Sequence, residues 1–128
     1  MRYVVKAAPP KGRRTRIVSF SEKTMWKGKT IDVGDEVFIF ESDHEGGRGL
    51  IGKGSVLAVR RGPASRVSIR VRRTSTSKRR LGRPELRPYR ECVDDRPQTE
   101  IARRLYRQAT NKIAGISDRA AAFLNSYF

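Results

Sequence analysis

The chain has 128 residues and a mass of 14.6 kDa, which suits one compact domain and leaves little room for a second hydrophobic core. Its 29 Lys and Arg residues against 13 Asp and Glu residues give a formal charge of +16, which favours an anionic partner, first of all nucleic acid. The single cysteine excludes a disulfide framework, and the lack of a signal-peptide pattern or of about 18 consecutive apolar residues predicts a cytoplasmic protein without a membrane partner.

Three short β-prone runs lie in the first third of the chain. Residues 3–7 form the first, which ends before Pro9-Pro10 because proline removes a donor from the hydrogen-bonded ladder. Residues 17–20 alternate weakly and predict either a brief strand or a packed loop. Residues 36–42 follow the turn at Gly34-Asp35 and predict the strongest strand of the chain.

A β-hairpin is predicted next. The glycine pair at 46–47 suits its loop, and the partner strand covers residues 49–59. Gly52 and Gly54 interrupt this partner, as glycines do where a strand bends around a small barrel.

The following segment combines a strand with dense positive charge. Residues 65–73 alternate strictly, so one face is core and the other is cationic. Residues 74–88 lack periodicity and predict a mobile loop that orders on binding. Between residues 60 and 90, twelve basic residues stand against Glu85 alone. Because guanidinium groups bind phosphate oxygens bidentately, we predict backbone contacts from Arg66, Arg70, Arg72, Lys78, Arg79, Arg80 and Arg83.

Helical patterns begin after residue 96. Pro97 suits a first helical position, and apolar residues recur every fourth position from Ile101 to Ile113, so one helix is predicted from there to Gly115. Ser117 can cap a second helix. This second helix presents a small apolar face as a candidate docking surface for a protein partner: Ala120, Ala121, Phe123 and Leu124.

The sequence offers few groups for catalysis. His44, the only histidine, lies in a glycine loop, and Cys92 has no histidine beside it that would activate a thiolate. Asp94 and Asp95 suit the start of the following helix, although together with Glu91 they leave a metal-dependent nuclease open. We therefore predict no catalytic residue, no cofactor and no metal site.

Trp26 is the most informative aromatic residue. Its neighbours Lys27, Gly28 and Lys29 are polar or small, and no periodicity buries it. It either stacks on a base in a pocket or forms a lid over the core. Phe38 and Phe40 lie in an alternating strand, so at least one of them belongs to the core.

Four short motifs follow one another in the first half of the chain. They are YVVKAAP at residues 3–9, WKG at 26–28, GD at 34–35 followed by VFIFES, and GLIGKGSV at 49–56. In this order they resemble the EVE domain of the PUA-like superfamily, whose corresponding motifs are YWLVKSEP, a tryptophan-glycine segment, a GD turn before VFFYHS, and GIVGIAEV.

The resemblance implies a small, curved, mostly antiparallel β-barrel with a pocket. Together with the helical patterns, the expected fold class is α+β. The whole chain, 1–128, is then a single PUA-like domain with its barrel at about 1–93 and two C-terminal helices within about 96–127.

The resemblance also implies a reader of modified bases in DNA or RNA, with Lys6, Trp26, Phe40 and Ser42 lining or flanking the base pocket. The serine and the acid that follow the lysine in the family are Ala7 and Ala8 here. The sequence thus predicts a nucleic-acid-binding module that reads a modified or flipped base while an arginine-rich face holds the phosphate backbone. The alternative is a non-catalytic adaptor that docks on a protein or ribonucleoprotein through the C-terminal helices.

Overall fold

The computed structural model describes residues 1–12 and 15–128. Within these residues, six strands close into a barrel in the order β1-β3-β4-β5-β2-β6. β1 pairs with β3, and β2 with β6, in parallel, while the other neighbours are antiparallel. The predicted barrel is therefore confirmed, with strands β1 Arg2–Ala7, β2 Ile17–Met25, β3 Glu36–Glu41, β4 Gly49–Arg61, β5 Arg66–Thr76 and β6 Lys112–Ile116.

The central strand β3 is apolar on both faces because it separates two hydrophobic cores. Val37 and Ile39 belong to the cluster inside the barrel, together with the inward side chains of β5. Phe38 and Phe40 belong to a second cluster between the barrel and the helices. Both phenylalanines are fully buried, so the expectation that at least one is core is confirmed.

Apolar and basic residues alternate along β5, and they face the core and the solvent as predicted. Val67, Ile69 and Val71 are buried inside the barrel, whereas Arg70 and Arg72, which follow Ile69 and Val71, are exposed. The register between β4 and β5 shifts between Lys53 and Gly54, the point where glycines interrupt β4. The barrel therefore presents a row of arginines outward along β5.

Three helices cover one side of the barrel: α1 Arg83–Leu86, α2 Pro97–Leu105 and α3 Asp118–Asn125. Short 3₁₀ turns lie at Gly28–Thr30, Asp43–Glu45 and Arg87–Tyr89. The Ser117 hydroxyl accepts a hydrogen bond from the Ala120 amide at 3.1 Å, which confirms it as the cap of α3. Within the described ranges, no helix combines the length and the hydropathy needed to cross a membrane.

The long helix predicted from Pro97 to Gly115 is wrong beyond Leu105. Residues 112–116 form β6, which pairs with β1 and β2 and closes the barrel. Ile101 and Leu105 pack outside the barrel, but Ile113 points into its interior, so the regular spacing joins two different elements. Residues 112–116 form a strand because they hydrogen-bond to β1 on one edge and to β2 on the other, so the helical spacing of Ile113 is a coincidence.

The irregular loop predicted for residues 74–88 is also wrong in part. β5 continues to Thr76, and α1 occupies the end of the segment. Leu81 and Leu86 are buried in the outer core, and the Leu81 carbonyl accepts the Leu50 amide at 2.8 Å. Two isolated leucines therefore anchor a stretch that has no periodic pattern.

Candidate functional site

Trp26 stands on the surface in a strained turn. Its side chain is 56% exposed, and its backbone has a φ of 48°, followed by Lys27 with a φ of 65°. Bulky residues rarely adopt this left-handed conformation, and where they do the surrounding structure must impose it. The turn thus holds an indole away from the core at the end of β2.

Backbone contacts with β6 impose this conformation. The Gly115 amide donates a hydrogen bond to the Trp26 carbonyl at 2.8 Å. A Cβ at Gly28 would lie 2.2 Å from the Ile113 carbonyl oxygen, and a Cβ at Gly115 would lie 2.7 Å from the Trp26 carbonyl oxygen. Only glycine allows the turn and β6 to approach so closely.

Arg104 of α2 covers part of the indole. Its guanidinium carbon lies 3.8 Å from the centre of the Trp26 ring, a cation–π contact. Its Nε is buried and has no hydrogen-bond partner among the residues that the structure describes. Burial lowers the pKa of Arg104 by disfavouring its charged form. The Trp26–Arg104 pair therefore combines an exposed aromatic ring with a guanidinium group that has an unused hydrogen-bond donor.

Two clefts meet at this pair. The larger, which we call the mixed cleft, has a volume of about 540 Å³ and is bordered by cationic and acidic side chains, including Lys27, Arg96, Arg119, Asp94, Asp95 and Glu100. The smaller, which we call the cationic cleft, has a volume of about 290 Å³. Trp26, Arg103 and Arg104 line both. The indole and the Arg104 guanidinium therefore border both clefts.

Three of the four residues predicted for a base pocket are buried, and the fourth is exposed. Lys6 and Phe40 are paired on β1 and β3, and the Ser42 amide donates to the Ala7 carbonyl beside them. Lys6, Phe40 and Ser42 are at most 1% exposed, whereas Trp26 is 56% exposed in its turn. The pocket role of the three buried residues stays a prediction.

Lys6 is a buried cation with a structural contact. Its Nζ donates a hydrogen bond to the Leu105 carbonyl at 2.7 Å and lies 5.1 Å from the centre of the Tyr106 ring. Burial, reinforced by the nearby charge of Lys112, lowers the pKa of Lys6 to about 8. The ammonium group therefore ties β1 to the C-terminal end of α2.

The predicted phosphate contacts on β5 are exposed. Arg70 and Arg72 have no hydrogen bond or ion pair from their side chains within the described residues. Arg66 donates one hydrogen bond to the Ser21 carbonyl at 2.7 Å, and its other guanidinium N–H groups make no hydrogen bond within the described residues. This row is therefore available to an anion, although its role stays a prediction.

The remaining predicted contacts surround a separate cleft of about 400 Å³, which we call the Arg79 cleft. Lys78, Arg79 and Arg80 line it together with Arg48 and Arg73. The Arg79 guanidinium lies 4.2 Å from the centre of the Tyr127 ring and donates to the Ser126 carbonyl at 2.9 Å. Arg83, the last predicted contact, lies instead beside His44, with 3.4 Å between Nη1 and Nδ1.

Three of the candidate catalytic residues, Cys92, Asp94 and Asp95, have structural contacts. The Cys92 thiol donates to the Pro88 carbonyl, and Asp94 accepts hydrogen bonds from Arg96 and Thr99 at the start of α2, which hold the pKa of this carboxyl well below its usual range. Asp95 pairs with Arg119 at 3.4 Å. Across residues 1–12 and 15–128, no three His, Cys, Asp or Glu side chains group to hold a metal ion.

Sequence reasoning missed the arginines of α2. Glu100, Arg103 and Arg104 of α2 recur at helical spacing away from Ile101 and Leu105, and Arg107 continues the spacing just beyond the end of the helix. This polar stripe was visible in the sequence, but nothing in it indicated that the stripe faces Trp26.

Most of the apolar face of α3 is buried. Ala120, Ala121 and Leu124 are fully buried in the outer core, where α3 packs on the barrel. Phe123, the fourth residue of the predicted docking surface, is half-buried against the same core, and the adaptor role stays a prediction.

Comparisons with known proteins agree on the architecture. No protein-family model and no curated protein matches the sequence. Among solved structures, the DUF55 domain of human thymocyte nuclear protein 1 is 12% identical with a TM-score of 0.65, over 98% of this chain and 97% of that one. Human THYN1 protein in complex with 5-methylcytosine-containing DNA is 12% identical with a TM-score of 0.66, over 98% and 95% of the chains.

A bacterial structure shows the same architecture. A protein from Pseudomonas syringae is 13% identical with a TM-score of 0.63, and each chain is covered completely. The DUF55 domains are EVE domains of the PUA-like superfamily. The chain therefore has the PUA-like barrel fold of the EVE domains, which confirms the fold that its short motifs indicated.

Proposed function

We propose that this protein binds nucleic acid and reads an unstacked base, preferably a modified one, against Trp26. The observation that carries the proposal is the strained, exposed indole with the Arg104 guanidinium 3.8 Å from its ring centre. An exposed aromatic face beside cations is the arrangement that single-strand binders use for stacking, and it contributes about 1–3 kcal/mol per base.

The mixed cleft has the properties of a base pocket. Its volume of about 540 Å³ lies within the range of small-molecule sites. Asp95 and Glu100 supply acceptors, and Arg96 and Arg103 supply donors, so the edge of a base can be read by hydrogen bonds. Extracting a base from a duplex costs a few kcal/mol, which favours single-stranded, mismatched or modified targets.

The phosphate backbone has exposed cationic partners. Arg70, Arg72 and Lys78 have no side-chain partner in the described part of the chain, so their charges can neutralise phosphates without breaking a contact. The predicted set Arg66, Arg70, Arg72, Lys78, Arg79, Arg80 and Arg83 remains our proposal for the backbone contacts.

A protein of the same fold supports the choice of ligand. Human THYN1 protein is described in complex with DNA that contains 5-methylcytosine. A shared fold does not transfer a ligand by itself. It does make 5-methylcytosine the first modification to test.

The proposal is tested by titrating the protein with oligonucleotides while following its fluorescence. Trp26 is the only tryptophan, so the emission reports this site alone. Single-stranded and mismatched oligonucleotides should change the emission at lower concentration than a matched duplex, and 5-methylcytosine at lower concentration than cytosine. Binding that leaves the emission unchanged would place nucleic acid elsewhere. Partner capture that survives nuclease treatment would favour the adaptor alternative.

A further inference from the structure

The cationic cleft differs from the mixed cleft in its charge. The acidic side chains Asp94, Asp95 and Glu100 line the mixed cleft only. The cationic cleft is lined by four cations, with Trp26 and Gln108 beside them: Arg103, Arg104, Arg107 and Lys112. Of the two clefts that the indole borders, one therefore has both signs of charge and the other has positive charge alone.

The four cations lack anionic partners within the described ranges. No ion pair of residues 1–12 and 15–128 involves any of them. The Nε of Arg104 is buried without a partner, and Lys112, 1% exposed, makes one long contact of 3.4 Å to the Gln108 carbonyl. Burial lowers the pKa of Arg104 and of Lys112.

Lys112 is buried and Arg104 is half-buried with a buried Nε, and cations so placed without an anionic partner are costly. An anion between them would remove this cost. A charged group that leaves water without a partner loses its hydration and gains nothing in return. A phosphate offers several oxygens, which suits guanidinium groups and an ammonium group that line the same cleft. A volume of about 290 Å³ accommodates a phosphate with part of its sugar.

We propose that the cationic cleft binds a phosphate group of the strand whose base lies on Trp26. This inference rests on the proposed function and adds the position of the backbone at that site. Because Trp26, Arg103 and Arg104 line both clefts, the base and the phosphate belong to the same or adjacent nucleotides. The phosphate is either an internal phosphodiester or a terminal phosphate.

The test compares Arg107→Gln with Arg87→Gln. Arg107 lines the cleft and is exposed, so its replacement should leave the fold intact, and thermal unfolding checks this. Arg87 is exposed and lines none of the mixed, cationic and Arg79 clefts, so its replacement removes the same charge as a matched control. Each variant is titrated with a single-stranded oligonucleotide over a range of salt concentrations, with and without a 5′-phosphate, and with inorganic phosphate.

Arg107→Gln should lower the slope of log affinity against log salt by about 0.7 relative to Arg87→Gln, as expected when one phosphate of a single strand is no longer neutralised. It should also weaken inorganic phosphate binding by about tenfold, as the removal of one charged hydrogen bond does. A 5′-phosphate that tightens wild-type binding but not Arg107→Gln binding identifies a terminal phosphate, and a slope change alone identifies an internal one.

Equal slopes and equal phosphate affinities for the two variants would overturn the phosphate assignment while leaving base binding at Trp26 intact. A wild-type protein that binds no oligonucleotide would instead overturn the proposed function itself.

Discussion

Trp26 and Gly115 are joined by a backbone hydrogen bond of 2.8 Å that fixes the exposed turn to β6. A Cβ at Gly115 would lie 2.7 Å from the acceptor oxygen of that bond, so Gly115→Ala must displace backbone rather than a flexible side chain. We expect a decrease of about 1–3 kcal/mol in the free energy of unfolding, the usual range for overpacking, and a shifted Trp26 emission. Chemical denaturation and fluorescence measure both.

Gly62→Ala is the matched control for this substitution. A Cβ there meets its nearest atom at 3.5 Å, an ordinary contact, so both readouts should stay close to the wild type. If Gly115→Ala behaves like Gly62→Ala, the turn adapts freely and β6 does not hold the indole in place.

Lys6 should make stability depend on pH in the alkaline range. Its pKa falls from 10.5 to about 8 on folding because of burial, so between these values the unfolded chain holds more protons than the folded one. The free energy of unfolding therefore rises with pH from about 8 to 10.5, by up to about 1.4 kcal/mol per pH unit from this group. Below about pH 8 its contribution is constant.

Lys6→Met removes this group and isolates its contribution. The stability of the variant relative to the wild type should fall as pH rises from about 8 to 10, when the wild type is relieved of its buried charge. Lys29→Met, which removes an exposed lysine, is the control and should run parallel to the wild type. Parallel profiles for both variants would show that Lys6 is not the cause.

The exposed arginines of β5 should govern the salt dependence of duplex binding. Replacing Arg70 and Arg72 with alanine should lower the slope of log affinity against log salt concentration by about 0.9 for each phosphate that is no longer neutralised. Discrimination between bases should stay nearly unchanged. Fluorescence anisotropy with labelled duplexes measures the slope. Unchanged slopes would remove β5 from the set of backbone-binding elements.

Most of the barrel could be predicted because its strands differ clearly from their surroundings. Strict alternation marks β5, and the apolar run of β3 marks a strand between two cores. β6 could not be predicted, because its five residues have no strand pattern of their own and Ile113 continues the helical spacing of α2. Its identity follows only from its pairing with β1 and β2.

The candidate site was predictable in part for a similar reason. The polar neighbours of Trp26 singled it out but left open whether its side chain stacks on a base or forms a lid over the core; in the structure the side chain is exposed. Its contact with Arg104 could not be inferred, because the two residues are far apart in the sequence and meet only when β6 and α2 close over the barrel. A local sequence pattern indicates which side chains are buried, whereas the contact between Trp26 and Arg104 depends on how distant strands and helices pack together.

Comparison of Trp26→Ala and Trp26→Phe with the wild type tests the central claim most directly. Affinity for a single-stranded oligonucleotide with 5-methylcytosine, measured by anisotropy, should fall by about 5- to 150-fold in Trp26→Ala, the equivalent of removing the stacking of one base, with the salt slope unchanged. Trp26→Phe keeps an aromatic face and should recover part of this affinity. Equal affinity for all three proteins would contradict the claim that this indole receives the base.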